Sequence, residues 1–496
     1  MLKRMFVAPD PGRARLRFAA RAVLGIGLAV VVCALAGHSL AGAVTGGLAA
    51  LLALFTVSDP TVRGQAVTTA LLPVVGVPVL AVAAGLHAHP VARDLTFLAV
   101  VGAGVHARRW GPRGHSLGVF AFMTFFVAQF LHAAPGQLPE LYAAVLLSVL
   151  SAAVVRFGVW CYERRLPPAA VPAPPAGTGL ARVTTRQAVQ ATAGAGFALV
   201  VGQLVSGQRW YWAVGATWWI FVNTTSRGET LVRGFRRVLG TLLGICLGFL
   251  IAVPVHGAPL PTAVLVAVAV FGIFYTAAVS YTWMMLWVTL LAESLYGLLG
   301  VLGPGLLALR LVETGVGALG AALAVLFVLP VTTHATTDAW IQRALRCVHA
   351  CTAEAAARLA GSATADPAPR VAELEQSLGR VRLSVAPLVH PLNPMPARKA
   401  RARRVLALLD DCAREVRGLV AVAADPVASH DARLAAACWR VEAAVEALTE
   451  GRAEPPHRPA EPPAEPALAH LHGLERALAE LAEPLRTPSG SRPAGA

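Results

Sequence analysis

The stretch from Gln208 to Gly248 reads QRWYWAVGATWWIFVNTTSRGETLVRGFRRVLGTLLGICLG and gathers residue types suited to holding an anion. Arg233, Arg236 and Arg237 stand just before an apolar run that begins at Val238. A helix starting there adds unpaired N–H groups and a positive dipole end to the guanidinium charge, which makes an anion site. Ordinary anchoring of a membrane helix by cytoplasmic arginine explains the same residues about as well. Glu229 precedes Arg233 by four, the spacing of a helical ion pair. Trp210, Tyr211, Trp212, Trp218 and Trp219 offer either a stacking surface for a flat aromatic ligand or an interfacial aromatic belt. Gly240, Gly244 and Gly248, four apart, form a small-residue stripe that favours close helix packing. Thr241 shares the face of Arg237, where its hydroxyl reaches a ligand or a neighbouring helix.

Three more charges fall inside apolar segments, where charge is costly and usually functional. Arg310 and Glu313 are three apart, the spacing of a buried helical pair. Glu293 is then left alone, and a lone carboxylate in a bilayer is a candidate proton carrier. There is no Walker A, GxSxG or HExxH pattern, so neither an enzyme nor a cofactor is expected. The seven cysteines show no CxxC pair and no zinc spacing, so no metal is expected.

The elements that must position these residues are set by composition. Of 496 residues 56% are hydrophobic and 14% charged, with mean hydropathy +0.62. A soluble domain is nearer one quarter charged, so an ordinary multidomain soluble enzyme is excluded. Residues 1–330 hold 22 of 42 basic and 8 of 27 acidic residues, a net +14; residues 331–496 are near balance at +1. The high pI does not point to nucleic acid, because the arginines sit between apolar runs.

Twelve apolar stretches are expected to be helices. In the first half they are Phe18–Ala36, Leu40–Val57, Val67–Leu86, Val91–Ala107, Ser116–Leu131 and Leu138–Val159. In the second they are Ala188–Val205, Trp210–Thr224, Val238–Val255, Leu260–Val279, Trp283–Leu299 and Leu306–Leu329. Alternate loops carry nearly all the arginine, among them Arg63, Arg108, Arg109, Arg113, Arg182 and Arg186. The positive-inside rule then puts both termini in the cytoplasm. Arg63-Gly64 recurs as Arg233-Gly234 at a shift of 170, with Asp59 in the place of Glu229, and each half has six stretches. Two parallel repeats follow.

The expected organisation is all-α. A first transmembrane repeat covers 1–162, a Pro-rich cytoplasmic linker 163–185 and a second repeat 186–333. A cytoplasmic helical domain covers 334–485 and a disordered tail 486–496. The basic run Arg398, Lys399, Arg401, Arg403 and Arg404 reads as a solvated helix face, with anionic lipid as the other reading.

WYWAVGATWWIFVNTTSRGETLVRGFRRVLGTLLG, with the later SYTWMMLWVTLLAES and ALRLVETGVGALGAALAVLFVLP, resembles the FUSC (fusaric acid resistance protein-like) membrane family. That family includes aromatic acid exporters and is similar to the plant aluminium-activated malate transporters. Its R-x-x-G-T-x-x-G pattern is matched by Arg237, Gly240, Thr241 and Gly244, and its final-span element by Arg310, Glu313, Thr314 and Gly317. The first half has Arg63-Gly64 but no R-x-x-G-T-x-x-G, and the large middle domain of many members is replaced by the short linker. The resemblance implies an inner-membrane exporter of small anionic, aromatic carboxylates. A passive anion channel and a membrane scaffold that recruits a partner are the alternatives. The expected partners are membrane lipid and a small organic anion, with a homo-oligomer and a periplasmic or cell-envelope adaptor left open.

Overall fold

A computed structural model describes residues 13–163, 179, 182–222, 224, 226–255, 257–329, 333–362, 364–389, 396–423, 432–450 and 466–486. The expected linker, apart from its ends, and the tail beyond 486 lie outside the described residues. The described chain is almost wholly helical and divides into two compact units, one over 1–171 and 176–331 and one from Thr332 on.

In the first unit each of the twelve apolar stretches falls on one helix. They are α1 (Ala14–Leu35), α2 (Leu40–Thr56), α3 (Val62–Gly85), α4 (Pro90–His106), α5 (Gly111–Phe130) and α6 (Leu138–Glu163). Then come α7 (Val183–Val205), α8 (Tyr211–Phe221), α9 (Arg227–Val255), α10 (Pro259–Thr276), α11 (Tyr281–Leu298) and α12 (Pro304–Phe327). Their ends follow local chemistry. Ser39 and Thr61 accept from the N–H groups of Gly42 and Gly64 and so cap α2 and α3. Prolines open α4, α10 and α12, where no N–H partner is needed.

Among the described residues seven helices are long and apolar enough to cross a bilayer: α1, α3, α6, α7, α9, α10 and α12. Of the rest, α8 has 11 residues and α2 and α4 have 17 each, too short to cross, while α5 and α11 are long enough but less apolar. Large apolar side chains point outward all round, Leu35 and Leu204 being 83% exposed and Phe327 77%. Such a surface is stable only against lipid, and the chain is a multi-pass membrane protein.

The halves of this unit pack in matching ways. α1 packs on α2 and α6, as α7 packs on α8 and α12. α3 packs on α5 and α6, as α9 packs on α11 and α12. α4 meets α7, and α1 meets α10.

The second unit contains α13 (Thr333–Leu359), α14 (Ala368–Val389), α15 (Pro396–Ala423), α16 (Ala432–Glu450) and α17 (Pro466–Arg486). They close around Leu345, Val381, Leu409, Val416, Val441 and Leu471. In the basic run of α15, Arg401 donates to the Pro484 carbonyl and Arg404 pairs with Glu483 at 3.2 Å, both on α17. Arg398, Arg403 and Arg404 are exposed, as a solvated helix face requires, and Arg404 pairs with Glu483 while still 55% exposed.

Candidate functional site

The helix that carries the arginines begins earlier than its apolar run. Ser226 accepts from the Glu229 N–H at 3.4 Å, and α9 starts at Arg227. Arg236 and Arg237 are thus nearly three turns in, about 15 Å from the helix start. The dipole end cannot assist them, because its effect fades within the first turn. Glu229 occupies that first turn instead. The expected anion site at a helix N-terminus is corrected to a site on the helix wall.

That wall packs against α11 along the glycines. A β-carbon on Gly240 would stand 2.5 Å from the Thr282 carbonyl oxygen and 2.7 Å from Met285 Cβ. One on Gly244 would stand 2.5 Å from Thr289 Cβ. Bare backbone lets the helices approach this closely. The approach brings Arg237, 7% exposed, onto α11. Its Nη1 donates to the Tyr281 hydroxyl and to Met285 Sδ, both at 3.1 Å, while its Nε has no partner. Arg233 lies 3.9 Å from the centre of the Tyr281 ring and donates from Nε to the Trp219 carbonyl at 3.3 Å. Arg233, Arg237, Trp219 and Tyr281 therefore form one cluster. Arg236 is half-buried outside it, and Thr241 is buried one turn beyond Arg237.

Beside the cluster is a cavity of about 130 Å³. α2, α5, α8, α10 and α11 supply an apolar wall whose aromatic part is Phe55, Phe126, Phe130, Trp212 and Trp219. Among the described residues Arg237 is the only charged side chain on that wall. The first half of the unit contributes through α2 and α5. A guanidinium with one hydroxyl, one thioether and an idle Nε is under-partnered for its burial, and a carboxylate would complete it. Aromatic rings beside it suit a flat apolar body.

The tryptophans separate into different roles. Trp212 and Trp219 face the cavity. Trp218 stacks on Phe122 at 4.0 Å in the core, and Trp210 sits beneath Arg93 at 4.9 Å, so neither reaches the wall.

A second polar group lies toward the other end of α8 and α11. Glu293 is 1% and Glu313 0% exposed, and none of their four carboxylate oxygens has a hydrogen-bond partner. Glu293 lies against Gly248, where a β-carbon would overlap its Oε2. Arg310 lies 3.8 Å from the centre of the Trp212 ring, with Nε and Nη1 unpartnered. It acts on both carboxylates through space. The expected Arg310–Glu313 pair is thus not closed by a hydrogen bond. The stacking on Trp212 holds the guanidinium instead. On α11 the Tyr296 ring lies 5.2 Å from the Arg209 guanidinium.

Two more arginines complete the frame: Arg156, which the sequence left without a role, and Arg108, expected only as a loop charge. Arg156 is buried and donates to the carbonyls of Ala53 at 2.7 Å, Leu54 at 3.1 Å and Val57 at 3.0 Å, closing the end of α2. Arg108 donates to the Phe221 carbonyl at 3.2 Å and so closes the end of α8. Arg156 lies within the apolar stretch Leu138–Val159, so the signal that singled out Glu293 was there to find it. Tyr281 gave no such signal, because its partners are 44 and 62 residues away.

Residues 197–325 match the sequence model of a family described as fusaric acid resistance protein-like, and this supports assigning the chain to that family. The match covers α8 to α11 whole, the C-terminal part of α7 and most of α12, and so contains Arg237, Glu293 and Glu313. No curated protein and no solved structure matches the chain.

Proposed function

We propose that this fusaric acid resistance protein-like chain is an inner-membrane transporter, not an enzyme, that exports small anionic, chiefly aromatic, carboxylates. The observation that carries the reading is the cavity wall, apolar and aromatic except for the under-partnered Arg237. A carboxylate pairs with that guanidinium, and a ring lies against Trp212 and Trp219. Arg233 holds Tyr281 and the end of α8 in place for that contact.

The arginine-rich loops around Arg63, Arg108 and Arg227 support a cytoplasmic position for the α9 start and for both termini. The matched helix packing of the two halves supports two parallel repeats related by a pseudo-two-fold axis. The cavity then lies between the repeats, with α2 and α5 opposite α8 and α11. The second unit is then a cytoplasmic domain. Glu293 is assigned the coupled proton, a reading supported by its burial and by two carboxylate oxygens without a hydrogen-bond partner.

The test is flux of labelled benzoate from liposomes containing the full chain, with and without a pH gradient. Accumulation against a gradient only when protons flow supports a coupled exporter. Arg237→Ala is expected to lower that flux at least tenfold with folded protein still present. Saturable flux that ignores the pH gradient would make the protein a passive anion channel. Absence of flux for every carboxylate would favour a membrane scaffold.

A further inference from the structure

A second, larger cavity of about 360 Å³ lies on the far side of a thin wall from the first. α1 and α2 form one side of it and α10 and α11 the other, and among the described residues its lining has no charged or polar side chain. Its outer rim is lipid-facing: Val31 is 53% and Leu40 43% exposed. Leu48, Leu51, Leu291 and Leu295 line both cavities and are the wall between them. The inner cavity thus has an anion-binding head at Arg237, and behind the four leucines a groove that opens toward the acyl chains.

Distances along α11 set what such a site holds. From Met285, which touches Arg237, Leu291 is about 9 Å and Leu295 about 15 Å away at 1.5 Å per residue. A compact acid such as benzoate ends short of the leucines. A long alkyl chain reaches them, and leucine side chains turn aside through ordinary rotamers rather than backbone movement.

We propose that the groove is the bilayer-side part of the same site, and takes the hydrocarbon chain of a membrane-partitioned carboxylate whose head group lies on Arg237. This rests on the reading of Arg237 given above and extends the substrate class from compact aromatic acids to long-chain amphiphilic ones. The occupant is the transported acid and not a structural lipid, because only the four shared leucines separate the groove from a cavity whose one charge complements a carboxylate. Such an acid enters sideways from the leaflet, already desolvated along its chain.

The experiment uses the full chain in liposomes and dodecanoate with a photoreactive diazirine near its methyl end. After irradiation, mass spectrometry of peptides locates the adducts. Adducts concentrated on Val30, Ala43, Ala263 and Ala267, and reduced at least tenfold in Arg237→Ala, are the expected result. Ala267→Trp, which fills the groove, is expected to lower the ratio of dodecanoate to benzoate flux at least tenfold. Groove adducts that persist undiminished in Arg237→Ala would mean an ordinary lipid seam and overturn the proposal. So would adducts spread evenly over lipid-facing helices, or an unchanged flux ratio in Ala267→Trp. Benzoate flux that depends on Arg237 would survive each of these results, so the transporter reading fails separately, only if no carboxylate moves.

Discussion

The Arg310 guanidinium lies 3.8 Å from the centre of the Trp212 ring, and the same ring is part of the cavity wall. The cation is thereby held by an aromatic face rather than by Glu313, three residues along its own helix. Two buried carboxylates nevertheless depend on its field. Arg310→Met removes the one cation that acts on both of them and is expected to destabilise the protein by about 3 kcal/mol or more. Glu313→Gln keeps the shape, removes a costly charge, and is expected to stay within about 1 kcal/mol of the parent. Unfolding of the two variants in the same detergent measures the difference. Equal losses would mean that the two residues act as a closed pair.

Arg156 makes a different demand. It satisfies the carbonyls of Ala53, Leu54 and Val57 at a buried helix end where water cannot replace it. Each orphaned carbonyl costs about 1–3 kcal/mol. Arg156→Leu is expected to lower the melting temperature sharply, while Arg63→Leu, on the surface of α3, leaves it nearly unchanged. A small effect of Arg156→Leu would show that α2 does not need this closure.

The helices were legible because apolar runs and their arginine-bearing loops are local signals. Twelve stretches and twelve helices agree to within a few residues at most ends. α9 is the exception: its start at Arg227 was hidden, because three turns of a helix carrying Glu229, Arg233 and Arg236 are not apolar. The small-residue stripe was legible as packing, since spacing alone puts Gly240, Gly244 and Gly248 on one face. What lies opposite them was not. The neighbours of Arg237 and Gly248 are Tyr281, Met285 and Glu293, tens of residues away and on another helix. For the same reason the aromatic cluster read as one feature, although only Trp212 and Trp219 face the cavity.

The buried cysteines of the second unit give a pH-dependent prediction. Burial pushes the Cys351 and Cys412 thiols up to about 12 and Cys438 to about 11. Only the thiolate reacts, so at pH 8 these residues are expected to resist maleimide until the protein unfolds. The folded state also keeps protons that the unfolded chain releases near 9. Its stability is therefore full below about pH 9 and falls as pH rises toward 12. Peptide mapping after native and denatured labelling checks the first point, and unfolding midpoints across alkaline pH check the second. Rapid native labelling of Cys412 would contradict its burial.

Gly248 and Glu293 give the most specific prediction, because one residue leaves room for the other. A β-carbon on Gly248 would sit 1.5 Å from Glu293 Oε2, which is an overlap and not a tight contact. Gly248→Ala must therefore drive the carboxylate off its seat or push α9 from α11, and overpacking of this kind costs about 1–3 kcal/mol. Gly315→Ala is the control, since nothing lies within 4 Å of its added carbon. There the substitution is expected to be neutral or mildly stabilising, as alanine is the better helix former. Glu293→Ala alone leaves a void but also removes an unpartnered carboxylate. The double substitution Gly248→Ala with Glu293→Ala fills part of that void with the new methyl. It is expected to melt higher than Gly248→Ala alone, with a coupling of about 1 kcal/mol or more, as contacting residues show. Additive losses in the double variant would mean that Gly248 is required for something other than the seat of Glu293.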